Sequence, residues 1–307
     1  MKVLMISGDK NLLIPGSTAY ARLKLQKSQV DQLDVFVWPQ VHSLAAIRKA
    51  ARTAHYDVIT AQDPFWRGHL AWHLSRANHT KLNIQVHTDL AAEPWWRRAW
   101  AYFQLRRSAS IRVVSDKLKQ EIAPHVRAPI SVLPIYIDLT RFVGLTHQPH
   151  SHFKKTVLWI GRFESEKNPS EAISILEKVR ASDIDAGLIL LGAGSLEAIL
   201  REKAKDIATY VEFPGWQDPV SYLAMADAVL STSRYESYGA SIIESLAAGV
   251  PVVAPDVGIA KEAGAIVAVR SELASAISRV LLSGERGILK LSMPSAAEWA
   301  RKWRETL

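Results

Sequence analysis

Short apolar runs rich in β-branched residues alternate along the whole chain with longer stretches whose apolar positions recur at helical spacing. Six runs fall at 3–7, 33–38, 57–61, 83–87, 110–114 and 131–133. Six more fall at 156–160, 187–191, 210–213, 228–231, 252–254 and 265–269. Apolar runs this short, with little polar alternation, read as strands buried on both faces, the pattern of parallel sheets covered by helices. Helix starts are marked between them. Asn168-Pro169 and Asp218-Pro219 each pair a capping side chain with a proline at the first helical position. Ser295 with Glu298 predicts a capping box, after which Trp299, Trp303 and Leu307 share one face. A helix with that face must pack on something.

The stretch 134–155 is rich in Pro, His and polar residues and shows no period. Two β/α series around one linker predict two doubly wound domains with a cleft between them, 1–140 and 141–294. At 307 residues the chain is long enough for two such domains, and 48% hydrophobic with 22% charged residues is a globular composition. No uninterrupted apolar run reaches the ~18 residues of a membrane span. The opening MKVLMISGDK is too short in apolar residues to read as a secretory signal. The absence of cysteine excludes disulfides, thiolate metal sites and a cysteine nucleophile, and cytoplasm is the expected compartment. Charge is uneven. Residues 1–138 carry 19 Lys+Arg against 10 Asp+Glu, and the remainder 19 against 20. A basic half beside a near-neutral half points to an anionic partner for the first domain.

Ligands of open parallel sheets bind beyond the carboxyl ends of the strands, so the residues following each run are the candidates. In the first half these are Gly8, then Pro15-Gly16-Ser17, and His87 in QVHTDL. In the second half they are Gly161-Arg162 with Lys167, Gly192-Ala193-Gly194, Gly215-Trp216-Gln217 and the segment ESYGASIIESLAAGVPVVAP. Each admits a plain reading. Gly192-x-Gly194 lacks the third glycine of a dinucleotide fingerprint, Arg162 and Lys167 read equally as a solvated charge pair, and His87 as a satisfied strand-end histidine. Together they suit an anionic ligand: two cations five positions apart match a diphosphate. Gly239 opens a helix whose N-terminus favours phosphate. Glu244 lies about a turn into that helix, and needs a partner if it is not exposed.

The spacing Glu236-x₇-Glu244, with Gly161-Arg162…Lys167, Gly192-Ala193-Gly194 and Phe213-Pro214-Gly215-Trp216, resembles retaining glycosyltransferase family 4 (glycosyl transferases group 1, GT-B fold) over most of residues 156–262. The resemblance implies an enzyme that moves a sugar from a UDP- or GDP-sugar to a glycan or lipid-linked acceptor in envelope polysaccharide or glycolipid synthesis, with retention of configuration. It implies that Arg162 and Lys167 neutralise the donor diphosphate without a metal ion or other cofactor. Glu244 would bind the ribose, and Glu236 the donor sugar together with the backbone of Tyr238, Gly239 and Ala240. Trp216 and Gln217 would flank the base, Gly16, Gly161 and Gly192 line the donor loops, and His87 lie near the reacting sugar. Residues 295–307 would cross back onto the first domain. The chain departs from the family in being short between Val30 and Tyr56 and after Gly258, and in lacking paired glycines in its first loop.

The segment PWWRRAWAYFQLRR (94–107) reads either as an amphipathic core helix with a solvated arginine face or as an interfacial helix lying on anionic membrane. The second reading would place a cytoplasmic protein in peripheral contact with the inner face of the membrane. An epimerase or phosphorylase on the same fold and an inactive sugar-nucleotide-binding homologue stay open. Nucleic acid is not an expected partner, because no recognised motif accompanies the basic stretch.

Overall fold

A computed structural model describes residues Met1–Leu307. The chain divides into two compact units, Met1–Tyr136 with Met293–Leu307, and Ile137–Ser292. The first unit runs β1 (Lys2–Ser7), α1 (Thr18–Lys27), β2 (Gln32–Val37), α2 (Leu44–Thr53), β3 (Val58–Ala61), α3 (Trp66–Ala77), β4 (Lys81–Val86), α4 (Trp95–Leu105), β5 (Ser110–Val113), α5 (Asp116–Ile122) and β6 (Ile130–Val132). Its six strands are parallel in the order β2-β1-β3-β4-β5-β6.

The second unit runs β7 (Lys155–Ile160), α6 (Pro169–Arg180), β8 (Ala186–Leu191), α7 (Glu197–Lys203), β9 (Val211–Gly215), α8 (Pro219–Met225), β10 (Ala228–Leu230), α9 (Ala240–Ala247), β11 (Val252–Ala254), α10 (Ala260–Ala263), β12 (Ile266–Val267) and α11 (Leu273–Ser283). Its sheet, again parallel, has the order β12-β11-β10-β7-β8-β9. The central strands of both sheets are buried along their length, which is why their cores are apolar runs. All twelve fall where the hydrophobic pattern predicts them, with ends shifted by a few residues and β12 reduced to two.

One predicted cap differs. Asn168 sits in the left-handed region (φ 51°), and its amide donates to the Glu171 carboxylate at 2.6 Å instead of capping the backbone. Asp218 and Ser295 do cap, accepting from the Val220 and Glu298 N–H groups.

The final helix, α12 (Ala296–Glu305), belongs to the first unit. Trp299 and Trp303 are fully buried among Val3, Met5, Leu23 and Leu133. The Trp299 indole N–H donates to the Pro134 carbonyl at 2.8 Å, and the Asn83 amide on β4 donates to the Thr306 carbonyl at 2.8 Å. Arg112 on β5 completes this junction. Its buried guanidinium donates to the carbonyls of Leu133 and Pro134 and to Gln85 Oε1, and lies against the Trp299 ring. No carboxylate answers it, and burial lowers its pKa to about 9, with Arg22 adding to the effect. No helix is long and apolar enough to cross a membrane.

Candidate functional site

The loops that follow β7 and β10 are stitched together by backbone and buried hydroxyl groups. The Arg234 N–H donates to the Glu166 carbonyl at 2.8 Å. Thr232, just past β10, lies within hydrogen-bond reach of the carbonyls of Lys167 and Asn168 and receives the Trp159 indole N–H at 2.9 Å. This stitching brings Lys167 Nζ into an ion pair with Glu236, whose same carboxylate oxygen also accepts from the Ser233 hydroxyl at 2.8 Å. Both partners are well shielded from solvent. Arg162, largely exposed, turns to Glu166 at 2.7 Å. Lys167 and Arg162 therefore each have a carboxylate partner that an anionic ligand could exchange.

Beneath the loop, Arg270 donates to the carbonyls of Thr232 (3.1 Å) and Ser233 (2.8 Å) and pairs with Glu171. It fixes the end of β10 from a segment some 38 residues further along the chain. Neither Arg270 nor the Thr232-Ser233 pair was named from sequence. The pair stands directly after a strand and carried a readable signal, whereas an isolated arginine at 270 carried none.

Gly239, at φ 103°, holds a backbone conformation that side chains disfavour and opens α9. The first N–H groups of a helix lack partners within it, so this N-terminus suits an anion. Tyr238 is buried, and its carbonyl accepts from the Ile259 N–H at 3.1 Å. Glu244 is half-buried on α9, and burial pushes its carboxyl up to about 7. Arg141 pulls it down and Asp218 pushes it further up. Arg141 and Asp218 pair with each other beside it. Arg141 comes from the irregular linker, where sequence offered no period to read. Trp216 and Gln217 are exposed in the turn before Asp218.

The glycine loops have a packing reason. A Cβ on Gly192 would lie 1.8 Å from the Gly161 carbonyl oxygen, and one on Gly194 within 2.6 Å of the Phe163 carbonyl oxygen. These glycines let the loops after β7 and β8 touch.

The remaining candidates lie in the first unit. Gly16 (φ 88°) precedes Ser17, the cap of α1, and a Cβ there would meet only open space. His87 follows β4. Its Nε2 is buried without a hydrogen-bond partner, and burial, then Arg112 and Arg22, hold the ring well below the usual histidine pKa. The imidazole is therefore neutral.

Two doubly wound parallel sheets, with the charged loops gathered at one carboxyl edge, define the GT-B class of fold. Two solved structures share it over the whole chain. The Anabaena Alr3699/HepE complex with UDP and glucose has a TM-score of 0.72 at 17% identity and is covered to 95%, and sucrose-phosphate synthase from Thermosynechococcus elongatus has 0.71 at 17% and is covered to 94%. Residues 154–283, within the second unit, match the family model for glycosyl transferases group 1.

Relatives include glycogen synthase of Mycobacterium tuberculosis, 30% identical over 186 residues, or 58% of this chain and 42% of that protein. A second is the GDP-mannose-dependent monoacylated alpha-(1-6)-phosphatidylinositol monomannoside mannosyltransferase of Corynebacterium glutamicum, 30% identical over 149 residues, or 42% of this chain and 39% of that protein. The chain thus spans less than half the length of these curated relatives.

Proposed function

We propose that this chain transfers a sugar from a UDP- or GDP-sugar to a glycan or lipid-linked acceptor, with retention of anomeric configuration. The observation that carries this reading is the Lys167–Glu236–Ser233 cluster beside the N-terminus of α9, in the unit that matches the family. A donor diphosphate entering here takes over the ammonium of Lys167 and draws Arg162 from Glu166. Glu236, released from Lys167, is then an acceptor for hydroxyls of the transferred sugar. Glu244, once ionised, accepts the ribose hydroxyls, and Trp216 and Gln217 flank the base.

The chemical demand is negative charge growing on the leaving diphosphate as the sugar–phosphate bond breaks. Fixed cations and a helix N-terminus aimed at that charge meet the demand, so Arg162 and Lys167 do the work for which other enzymes use a metal ion. The neutral imidazole of His87 is a hydrogen-bond partner for the reacting sugar. Retention follows if the acceptor hydroxyl attacks on the face the diphosphate leaves, with the leaving phosphate taking its proton.

An exposed aromatic face supports a lipid-linked acceptor. On α4, Trp96, Trp100 and Phe103 recur one turn apart and meet α3 through Trp66–Trp100 and Trp72–Phe103 ring contacts (centroids 4.4 and 5.6 Å). Trp66 and Trp96 stay 62% and 52% exposed, with Arg107 over the Phe103 ring and Arg97 beside Trp96. Aromatic rings flanked by arginines suit the head-group layer of anionic membrane. Relatives include phosphatidylinositol mannosyltransferases and a putative teichuronic acid biosynthesis glycosyltransferase, TuaC, of Bacillus subtilis.

The test is binding and slow hydrolysis across a panel of UDP- and GDP-sugars. One donor bound with release of free sugar supports transfer, and no binding of any removes the proposal. Co-sedimentation with anionic, but not neutral, liposomes at moderate salt is the corresponding result for the membrane.

A further inference from the structure

The other flank of α4 faces away from that aromatic cluster. Trp95, Arg98, Ala99 and Tyr102, spaced i, i+3, i+4 and i+7, share one helical face. Across from them stand Glu121, near the end of α5, and His125 in the short 3₁₀ turn that follows. Between these elements lies a cavity of about 460 Å³, open to solvent and lined also by Ala91. Its size falls within the range of small-molecule sites, roughly 300–1,000 Å³.

The lining is incomplete in one respect. Glu121 Oε1 is buried and has no hydrogen-bond partner, although a buried carboxylate oxygen normally has one. Burial, with Asp89 adding to it, pushes the Glu121 carboxyl above the usual range, while the Ala91 N–H, Arg98 and Lys117 act against the shift. Arg98 gives the wall one cationic edge, and the remainder is ring and methyl surface: Tyr102 tilted against His125 (centroids 4.6 Å), two alanines, and Trp95, 75% exposed at the rim.

This chemistry discriminates among ligands. An anion would meet Arg98 but also the buried Glu121 carboxyl, and an aliphatic group would leave the orphan oxygen unpaired. A molecule with hydroxyl donors on its edge and C–H surface on its face satisfies both walls. We propose that this groove binds a neutral sugar ring, with Glu121 accepting its hydroxyls and Trp95 and Tyr102 covering its apolar face. The groove shares its Ala91 wall with the loop that carries His87, so it holds a ring of the acceptor glycan beyond the one that reacts. That last step rests on the glycosyltransferase reading, while sugar binding in the groove does not.

Saturation-transfer NMR on the full chain tests this without a known acceptor. The probes are methyl α-glucoside, methyl α-mannoside, methyl α-galactoside and methyl N-acetyl-α-glucosaminide, titrated with no nucleotide present. At least one should saturate, and Glu121→Gln and Trp95→Ala should each weaken it by about tenfold, the order expected on losing a hydrogen bond to a charged group or a ring contact. Both changes are tolerable to the fold, since the first keeps the shape of the side chain and the second alters an exposed residue. Binding of the UDP- or GDP-sugar should be unchanged in both variants. If no glycoside saturates, or if both variants bind it as the parent does, the groove is not a sugar site. Glycoside binding lost in the variants, in a protein that binds no nucleotide sugar, would keep the groove and remove the transferase reading.

Discussion

The two units hold several of their cations in different ways, although Arg67 after β3 is paired with Asp63. At the edge of the second unit every functional cation is answered: Lys167 by Glu236, Arg162 by Glu166, Arg270 by Glu171. At the edge of the first, Arg112 is held only by carbonyls and an amide, Arg22 has Asp9 no nearer than 3.9 Å, and His87 stays neutral with an unpaired nitrogen. Residues 139–307, which include the α12 of the first unit, carry 19 cationic and 20 anionic side chains, and residues 1–138 carry 19 and 10. Paired cations can trade one anion for another at little cost, which suits a site that loads and releases a nucleotide. Unpaired ones cannot be moved without loss, which suits a frame.

That contrast can be broken from either side. The largest effect should come from Arg112→Met, which leaves the Leu133 and Pro134 carbonyls and Gln85 unanswered in a dry interior. Denaturant titration should show a loss of about 3–5 kcal/mol, as for other buried charged hydrogen-bond partners; a loss below 1 kcal/mol would mean that the frame does not depend on it.

Lys167→Ala strikes the paired edge. It should cost donor binding about 2–5 kcal/mol by calorimetry, because the diphosphate loses its counter-charge, while the melting temperature changes little. Unchanged affinity would sink the donor site as drawn.

Glu244 sharpens the comparison through pH. Its folded pKa, pushed up to about 7, lies above the ordinary carboxyl value of 4.5. Its contribution to stability is therefore complete below about 4.5 and is lost as pH rises through about 7. Glu244→Gln should raise stability at pH 8 by on the order of 2 kcal/mol and weaken donor binding. In the parent, donor affinity should fall as pH drops below about 7, and a flat profile between 5.5 and 8 would exclude the ribose role.

The smallest effect belongs to Trp96→Ala, a several-fold drop in sedimentation with anionic liposomes at unchanged donor affinity.

Much of this was legible in advance because buried parallel strands must be apolar throughout and each ends at a loop. The position of the loops, and hence Arg162, Lys167, Glu236 and Glu244, followed from that periodicity and from spacing. What spacing did not disclose was partnership. Lys167 and Glu236 lie 69 positions apart, and nothing local says that they close on each other. Arg270 and Arg141 act from irregular segments where no pattern marks them. The two carboxylates of the E-x₇-E spacing looked alike in sequence, yet one is an ion-paired anion and the other is half-protonated near neutrality. In α4 the aromatic residues suggested a core helix or a membrane helix. The structure splits them between an exposed cluster against α3 and the wall of a groove against α5, a division that depends on which neighbours flank the helix.

The return of α12 has a consequence for synthesis. Domains generally fold in the order in which they leave the ribosome. Here the first unit lacks its central tryptophans until residues beyond Ser292 have emerged, by which time the whole second unit is available to fold. The nascent first half must wait with its slot for Trp299 and Trp303 open. A fragment ending at Tyr136 should thus be insoluble on its own, and become soluble when a peptide covering 293–307 is supplied.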